Sequence, residues 1–137
     1  MLKPWRVAVV GSRSYPSMPR VRAALRELAD VRIEFPTYEW IILSGGAPGV
    51  DKVAIEEARR LGFKTEVIAA DWKTYGKAAG PLRNTEIVKR ADRVIAFWDE
   101  RSRGTRDVIK KALAAGKDVR YVDPNGRIVD NLEGRVL

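Results

Sequence analysis

Apolar residues along this chain follow two alternating patterns. Short strand-like runs lie at Trp5–Val10 (WRVAVV), Glu39–Leu43, Phe63–Ala69, Arg93–Trp98 and Asp118–Val122, most of them continuous and so suited to burial on both faces. Between the runs, apolar positions recur at helical spacing. They are Val21, Ala24, Leu25 and Leu28; Val50, Val53, Ala54, Ala58 and Leu61; Ile87, Val88 and Ala91; and Val108, Ile109, Ala112 and Leu113. Ser14 or Ser17 caps the first helix, and Phe35-Pro36-Thr37 breaks it, because a residue before proline is pushed out of the helical region. Gly62 and Gly116 stop the second and last helices. Asp71–Arg83 (DWKTYGKAAGPLR) is too rich in glycine and polar residues for regular structure at its start, then becomes helical. The tail, 124–137, carries turn signals at Asn125-Gly126 and Asn131 and predicts a short hairpin or edge strand. Alternating strands and helices predict an α/β fold. It is a Rossmann-like, doubly wound parallel sheet of about five strands with helices on both faces, forming a single domain over 1–137.

In such a sheet, ligands bind beyond the C-terminal ends of the strands. Three turns fall there: Gly11–Ser14, Ser44–Asp51 and Asp99–Thr105. The middle one, within LSGGAPGVD (43–51), passes over Gly45, Gly46, Ala47 and Gly49 into a helix opening at Val50 and Asp51. Glycines let a backbone come close to a ligand, and a helix start offers unpaired N–H groups and a positive dipole end. A phosphate is the anion such a turn suits, although glycines also serve an ordinary strand-to-helix connection. Ser12 and Arg13 in the first turn, and Ser102, Arg103, Gly104 and Thr105 in the third, add small polar residues and positive charge. Arg13 and Arg83 suit bidentate phosphate contact, and Asn84 adjoins the second of them. Arg103 is equally a surface charge. Asp51 suits a ribose hydroxyl, a metal ion or the helix N-terminus itself. Trp72 and Tyr75 suit stacking on a base or packing over the sheet edge; Trp98 reads as core.

Composition narrows the chemistry. The 137 residues contain no cysteine and no histidine, which excludes disulfides, thiolate or imidazole zinc sites, Ser-His-Asp triads and Cys-His nucleophiles. Acid–base work would fall to carboxylates, lysine, tyrosine or a bound metal. A net charge of +8 favours an anionic partner, nucleic acid included, without demanding one. With no membrane-length apolar run and no signal-peptide core after Met1-Leu2-Lys3-Pro4, a cytoplasmic protein without a membrane partner is expected. A G-x-G-x-x-G fingerprint and a Walker loop are both missing.

The pieces VGSR (10–13), LSGGAPGVD (43–51), AAGPLRN (78–84) and AFWDERSRGT (96–105), taken in this order and spacing, resemble the SLOG superfamily. That group includes the DNA-processing protein DprA (Smf) and the LOG phosphoribohydrolases, and the likeness is strongest to its small stand-alone YspA-like branch. It spans about Arg6 to Val122 and implies a Rossmann-like fold with a site for nucleotides or nucleotide-derived ligands. By this resemblance, Gly45, Gly46 and Gly49 match the phosphate-cradling loop shared with DprA, and Gly104-Thr105 match the second LOG motif. Arg83-Asn84 falls where LOG enzymes carry an arginine. In the hydrolases the Gly-Thr is followed by two residues and then a catalytic glutamate; here that place is Val108, and the nearest carboxylate is Asp107.

Three functions compete on these grounds: binding of a small phosphorylated ligand by a sensor or processing domain, a single-stranded DNA-binding module like DprA, and a LOG-like nucleoside 5'-monophosphate phosphoribohydrolase. No cofactor is assigned with certainty, and Mg²⁺ can accompany a bound nucleotide. Resemblance to the LOG proteins implies a homodimer.

Overall fold

The computed structural model describes residues 2–130. β1 (Lys3–Gly11), β2 (Tyr38–Ser44), β3 (Lys64–Val67), β4 (Arg93–Phe97) and β5 (Asp118–Val122) form a parallel sheet, and β6 (Ile128–Asp130) closes one edge antiparallel to β5. The spatial order is β3-β2-β1-β4-β5-β6. The chain winds outward from β1 in one direction, then restarts beside β1 with β4, so the switch point lies between β1 and β4. Among the described residues the sheet has six strands where about five are predicted. The sixth is the edge strand that the tail pattern suggests, and it pairs after a turn in which Gly126 takes a φ of 85°. Asn131, the other turn signal, lies outside the described residues.

Among the described residues the connections are filled by the helices α1 (Met18–Glu34), α2 (Val50–Arg60), α3 (Trp72–Tyr75), α4 (Ala79–Arg90) and α5 (Arg103–Ala114). Ser17, of the two candidate serines, caps α1 by accepting the N–H of Arg20. The irregular start expected for 71–83 contains one ordered turn. The Asp71 side chain accepts the N–H of Thr74, which nucleates α3, and positive-φ Gly76 leads out of it through a 3₁₀ turn into α4.

Strand alternation divides the core in two. Val7 and Val9 of β1 point to a cluster with Val21, Leu25 and Leu28 of α1 and Val50, Ala54 and Ala58 of α2. Ala8 and Val10 point to the opposite cluster, with Ile87 and Val88 of α4 and Val108, Ile109 and Ala112 of α5. Helices therefore cover both faces, as the period of the sequence predicts. Glu57 of α2, almost fully buried, ties α2 to α1 through Arg22 and Arg26 and also pairs with Arg60. Among the described residues no helix is long and apolar enough to cross a membrane, and no group of acidic side chains could hold a metal ion.

Candidate functional site

At the switch point the ends of β1 and β4 stay together beyond their ladder. The N–H of Ser12 donates to the carbonyl of Phe97 at 2.9 Å, and the buried Ser12 hydroxyl accepts the N–H of Asp99 at 3.0 Å. The same hydroxyl lies 3.3 Å from that of Thr105, which is 3.2 Å from Ser102 Oγ, the cap of α5. Asp99 shapes this turn by accepting the N–H groups of Arg101 and Ser102, while the Trp98 indole donates to the carbonyl of Ser102. Trp98 is core, as expected, and meets Tyr121 edge-on. Glu100 takes a φ of 67° to complete the turn.

The turn after β2 packs against that after β1. Gly49 has a φ of 87°, and a Cβ there would stand 2.7 Å from the Arg13 carbonyl oxygen, so the two backbones touch. Arg83 of α4 reaches across to donate to the Gly45 carbonyl at 2.8 Å. Asn84 beside it accepts from Arg83 Nε and donates to the Gly104 carbonyl and to Asp107. All three strand-end turns and α4 thus meet around one open cleft of about 170 Å³. Gly11, Arg13, Ala47, Asp51, Arg83, Asn84, Ser102, Gly104 and Thr105 line it. Val10, Ile87 and Val108 form an apolar floor.

Other expected site residues stand behind this wall. Ser44 is fully buried and donates to the Val9 carbonyl at 2.7 Å, so its hydroxyl serves the sheet. Val50 belongs to the core. Gly45 is needed where it lies under Arg83, since a Cβ would be 2.7 Å from its guanidinium. Gly46 has a φ of 72°, and a Cβ there would meet Val67 at 2.8 Å, not a residue of the cleft. Arg103 opens α5 as an exposed charge outside the lining.

Asp51 changes the expected role of the glycine loop. Its carboxylate, 5% exposed, accepts the N–H of Gly11 at 3.1 Å with one oxygen and that of Ala47 at 3.3 Å with the other. Donors expected to face a ligand anion are therefore turned onto the protein's own carboxylate. Burial pushes its pKa up to about 6, against the opposing pull of these N–H groups and of Arg83. The charge left for an anion comes from Arg13, Arg83 and the N-terminal turn of α5. Arg13 is exposed, and its guanidinium has no hydrogen-bond or ion-pair partner among the described residues.

The place of the LOG glutamate carries no carboxylate. Val108 is buried in the cleft floor at that place. Asp107 is held by Lys111 at 2.9 Å and by Asn84 at 3.0 Å, off the cleft lining. Sequence reasoning missed Asp99 as the organiser of the third turn. Its signal is an aspartate two and three residues before the N–H groups it accepts.

Residues 5–75 match the YspA, cpYpsA-related SLOG family (YAcAr). The chain belongs to this family. It is 38% identical over 117 residues to the Gene 61 protein of Mycobacterium phage D29, covering 81% of this chain and 90% of the phage protein. Its fold superposes on DNA processing protein A (DprA) of Streptococcus pneumoniae with a TM-score of 0.70 and 25% identity. That likeness covers 95% of this SLOG protein but 53% of the pneumococcal one, so the chain spans about half its length. DprA of Helicobacter pylori, whose structure was solved for its single-stranded DNA binding mode, matches with a TM-score of 0.66 and 22% identity over 88% of this chain and 66% of that one.

Proposed function

We propose that the cleft between β1 and β4 binds the phosphate of a nucleotide or nucleotide-derived ligand, as part of a sensor or processing domain. One observation carries this reading: Arg13 and Arg83, from separate elements, line a single cleft at the switch point of a SLOG-family sheet, beside the N-terminal turn of α5. Arg13 offers planar paired donors with no partner among the described residues to give up, while Arg83, whose Nε and Nη1 already donate to Asn84 and the Gly45 carbonyl, keeps Nη2 for a ligand. The apolar floor of Val10, Ile87 and Val108 suits the sugar of such a ligand. Any Mg²⁺ enters with the phosphates, since no group of acidic side chains among the described residues could hold it alone.

Binding is proposed without efficient N-glycosidic hydrolysis. Cleavage needs a carboxylate placed against the anomeric carbon or the incoming water, and Val108 supplies none. The test is calorimetric titration of AMP into the protein and into Arg83→Ala. A charge-assisted arginine contact contributes roughly 1.5–3 kcal/mol, so the variant should bind at least about tenfold more weakly. Equal affinity in a folded variant would overturn the reading.

A second reading, a single-stranded DNA-binding module, is favoured by the net charge of +8 and by the likeness to DprA. Oligothymidylate binding that weakens steeply with salt would support it. Resemblance to the LOG proteins extends the proposal to a homodimer. The helices that flank the site are its proposed contact surface. A 15.4 kDa species in light scattering at high concentration would refute it.

A further inference from the structure

Two aromatic side chains next to the cleft have no structural duty that accounts for them. Trp72 and Tyr75 stand one turn apart in α3, a four-residue helix with no buried residue. They are 60% and 55% exposed. Single exposed apolar residues are ordinary on a protein surface, but two large rings in one exposed turn are not. The turn is nonetheless built with care. Asp71 caps it, and the Tyr75 N–H donates to the Asp71 carbonyl at 3.0 Å.

The indole is also seated. Gly80, the second residue of α4, is buried, and a Cβ there would stand 3.2 Å from Trp72 Cη2. A glycine inside a helix weakens it relative to alanine. Here it opens a notch into which one edge of the indole packs while the rest stays in solvent. Arg83 and Asn84, which line the cleft, are the residues three and four positions on along α4. Positions so spaced are neighbours on one helix face, about 5–6 Å apart between Cβ atoms. The indole is therefore fixed one helical turn from the arginine that faces a phosphate. Lys73 and Lys77, both exposed, flank the rings with positive charge.

From this juxtaposition we infer that α3 is a nucleobase platform: Trp72, assisted by Tyr75, stacks on the base of the ligand whose phosphate lies between Arg13 and Arg83. The inference rests on the phosphate reading above and adds that the ligand carries a base. An aromatic face gives affinity without selecting one base, since every base offers a π-face. The base can belong to a free nucleotide or to a single strand; the recognition chemistry is the same, and the probes separate the two sources.

The experiment measures the affinity of AMP, ribose 5-phosphate, oligothymidylate and an abasic strand of equal length for the protein and for Trp72→Ala, Trp72→Phe and Arg83→Ala. Because Trp72 is largely exposed, Trp72→Ala should keep the native circular dichroism spectrum, and Trp72→Phe retains a ring in the notch. The expected result is that Trp72→Ala weakens AMP binding roughly tenfold or more, with Trp72→Phe close to the parent, while ribose 5-phosphate is unaffected. The same contrast between oligothymidylate and the abasic strand would assign the base to a strand. If Trp72→Ala leaves AMP unchanged, or weakens AMP and ribose 5-phosphate equally, while Arg83→Ala still weakens both, the platform is overturned and the phosphate site stands. If none of the four probes binds, or Arg83→Ala has no effect on any of them, both readings fall.

Discussion

The carboxylate of Asp51, in the first turn of α2, accepts the backbone N–H of Gly11 at the end of β1 across 3.1 Å. This bond joins two of the three strand-end turns from inside the glycine loop. It also means that the loop is held in shape by an internal anion, and that a ligand anion must be met by arginines and by α5.

The same bond carries a pH signature. Burial raises the pKa of Asp51 from 3.8 to about 6 in the folded protein. A raised carboxyl pKa stabilises the fold fully below the unfolded value and loses that contribution as pH rises through the folded one, by on the order of 3 kcal/mol here. Between about pH 4 and 6.5 this group should make stability in urea fall with rising pH. Asp51→Asn should flatten that slope, and an unchanged slope in the variant would place the titration elsewhere.

Gly49→Ala should be destabilising, because φ is 87° and the new methyl would stand 2.7 Å from the Arg13 carbonyl oxygen. Left-handed strain costs about 1–3 kcal/mol, and the backbone clash adds to it. Urea unfolding checks this. A variant as stable as the parent would show that the turns after β1 and β2 are not in contact.

Ser12→Ala should cost about 1–3 kcal/mol, since it leaves the N–H of Asp99 without its acceptor beneath the cleft. Ser102→Ala should cost a cap, about 1 kcal/mol, and leave Ser12 in place. Thermal denaturation of both variants compares them, and an equal or reversed order would remove Ser12 from its proposed place as the link between β1 and β4.

Incubation with a panel of nucleoside monophosphates, followed by chromatography, should show no release of free base beyond the uncatalysed level. Val108 occupies the place of the hydrolases' glutamate, and Asp107 is committed to Lys111 and Asn84. Rapid release that disappears in Asp107→Asn or Asp51→Asn would instead make the protein a hydrolase with a displaced acid.

Much of the fold was legible because its strands are buried on both faces. The runs from Trp5, Glu39, Arg93 and Asp118 lie within one or two residues of the observed strands, and each helical stripe faces a core cluster. β3 is shorter than the run Phe63–Ala69 because it pairs only over Lys64–Val67, at the sheet edge. The meeting of the three turns was also readable, since parallel topology sends every strand's C-terminal end to one side. The direction of the side chains was not. Ser44 turns into the sheet and Gly46 lies against Val67, because pleat parity and long-range packing decide where a turn residue points. Asp51 filling the loop from within was not among the three roles read for it, because the donors it accepts from, Gly11 and Ala47, meet it only once β1 and the glycine loop are folded together.

The most direct measurement is a crystal structure of the protein with AMP. The account predicts phosphate density in the cleft between β1 and β4, with its oxygens about 3 Å from the guanidinium nitrogens of Arg13 and Arg83 and next to the first turn of α5. Density for the phosphate anywhere else on the protein, with that cleft holding only solvent, would contradict it.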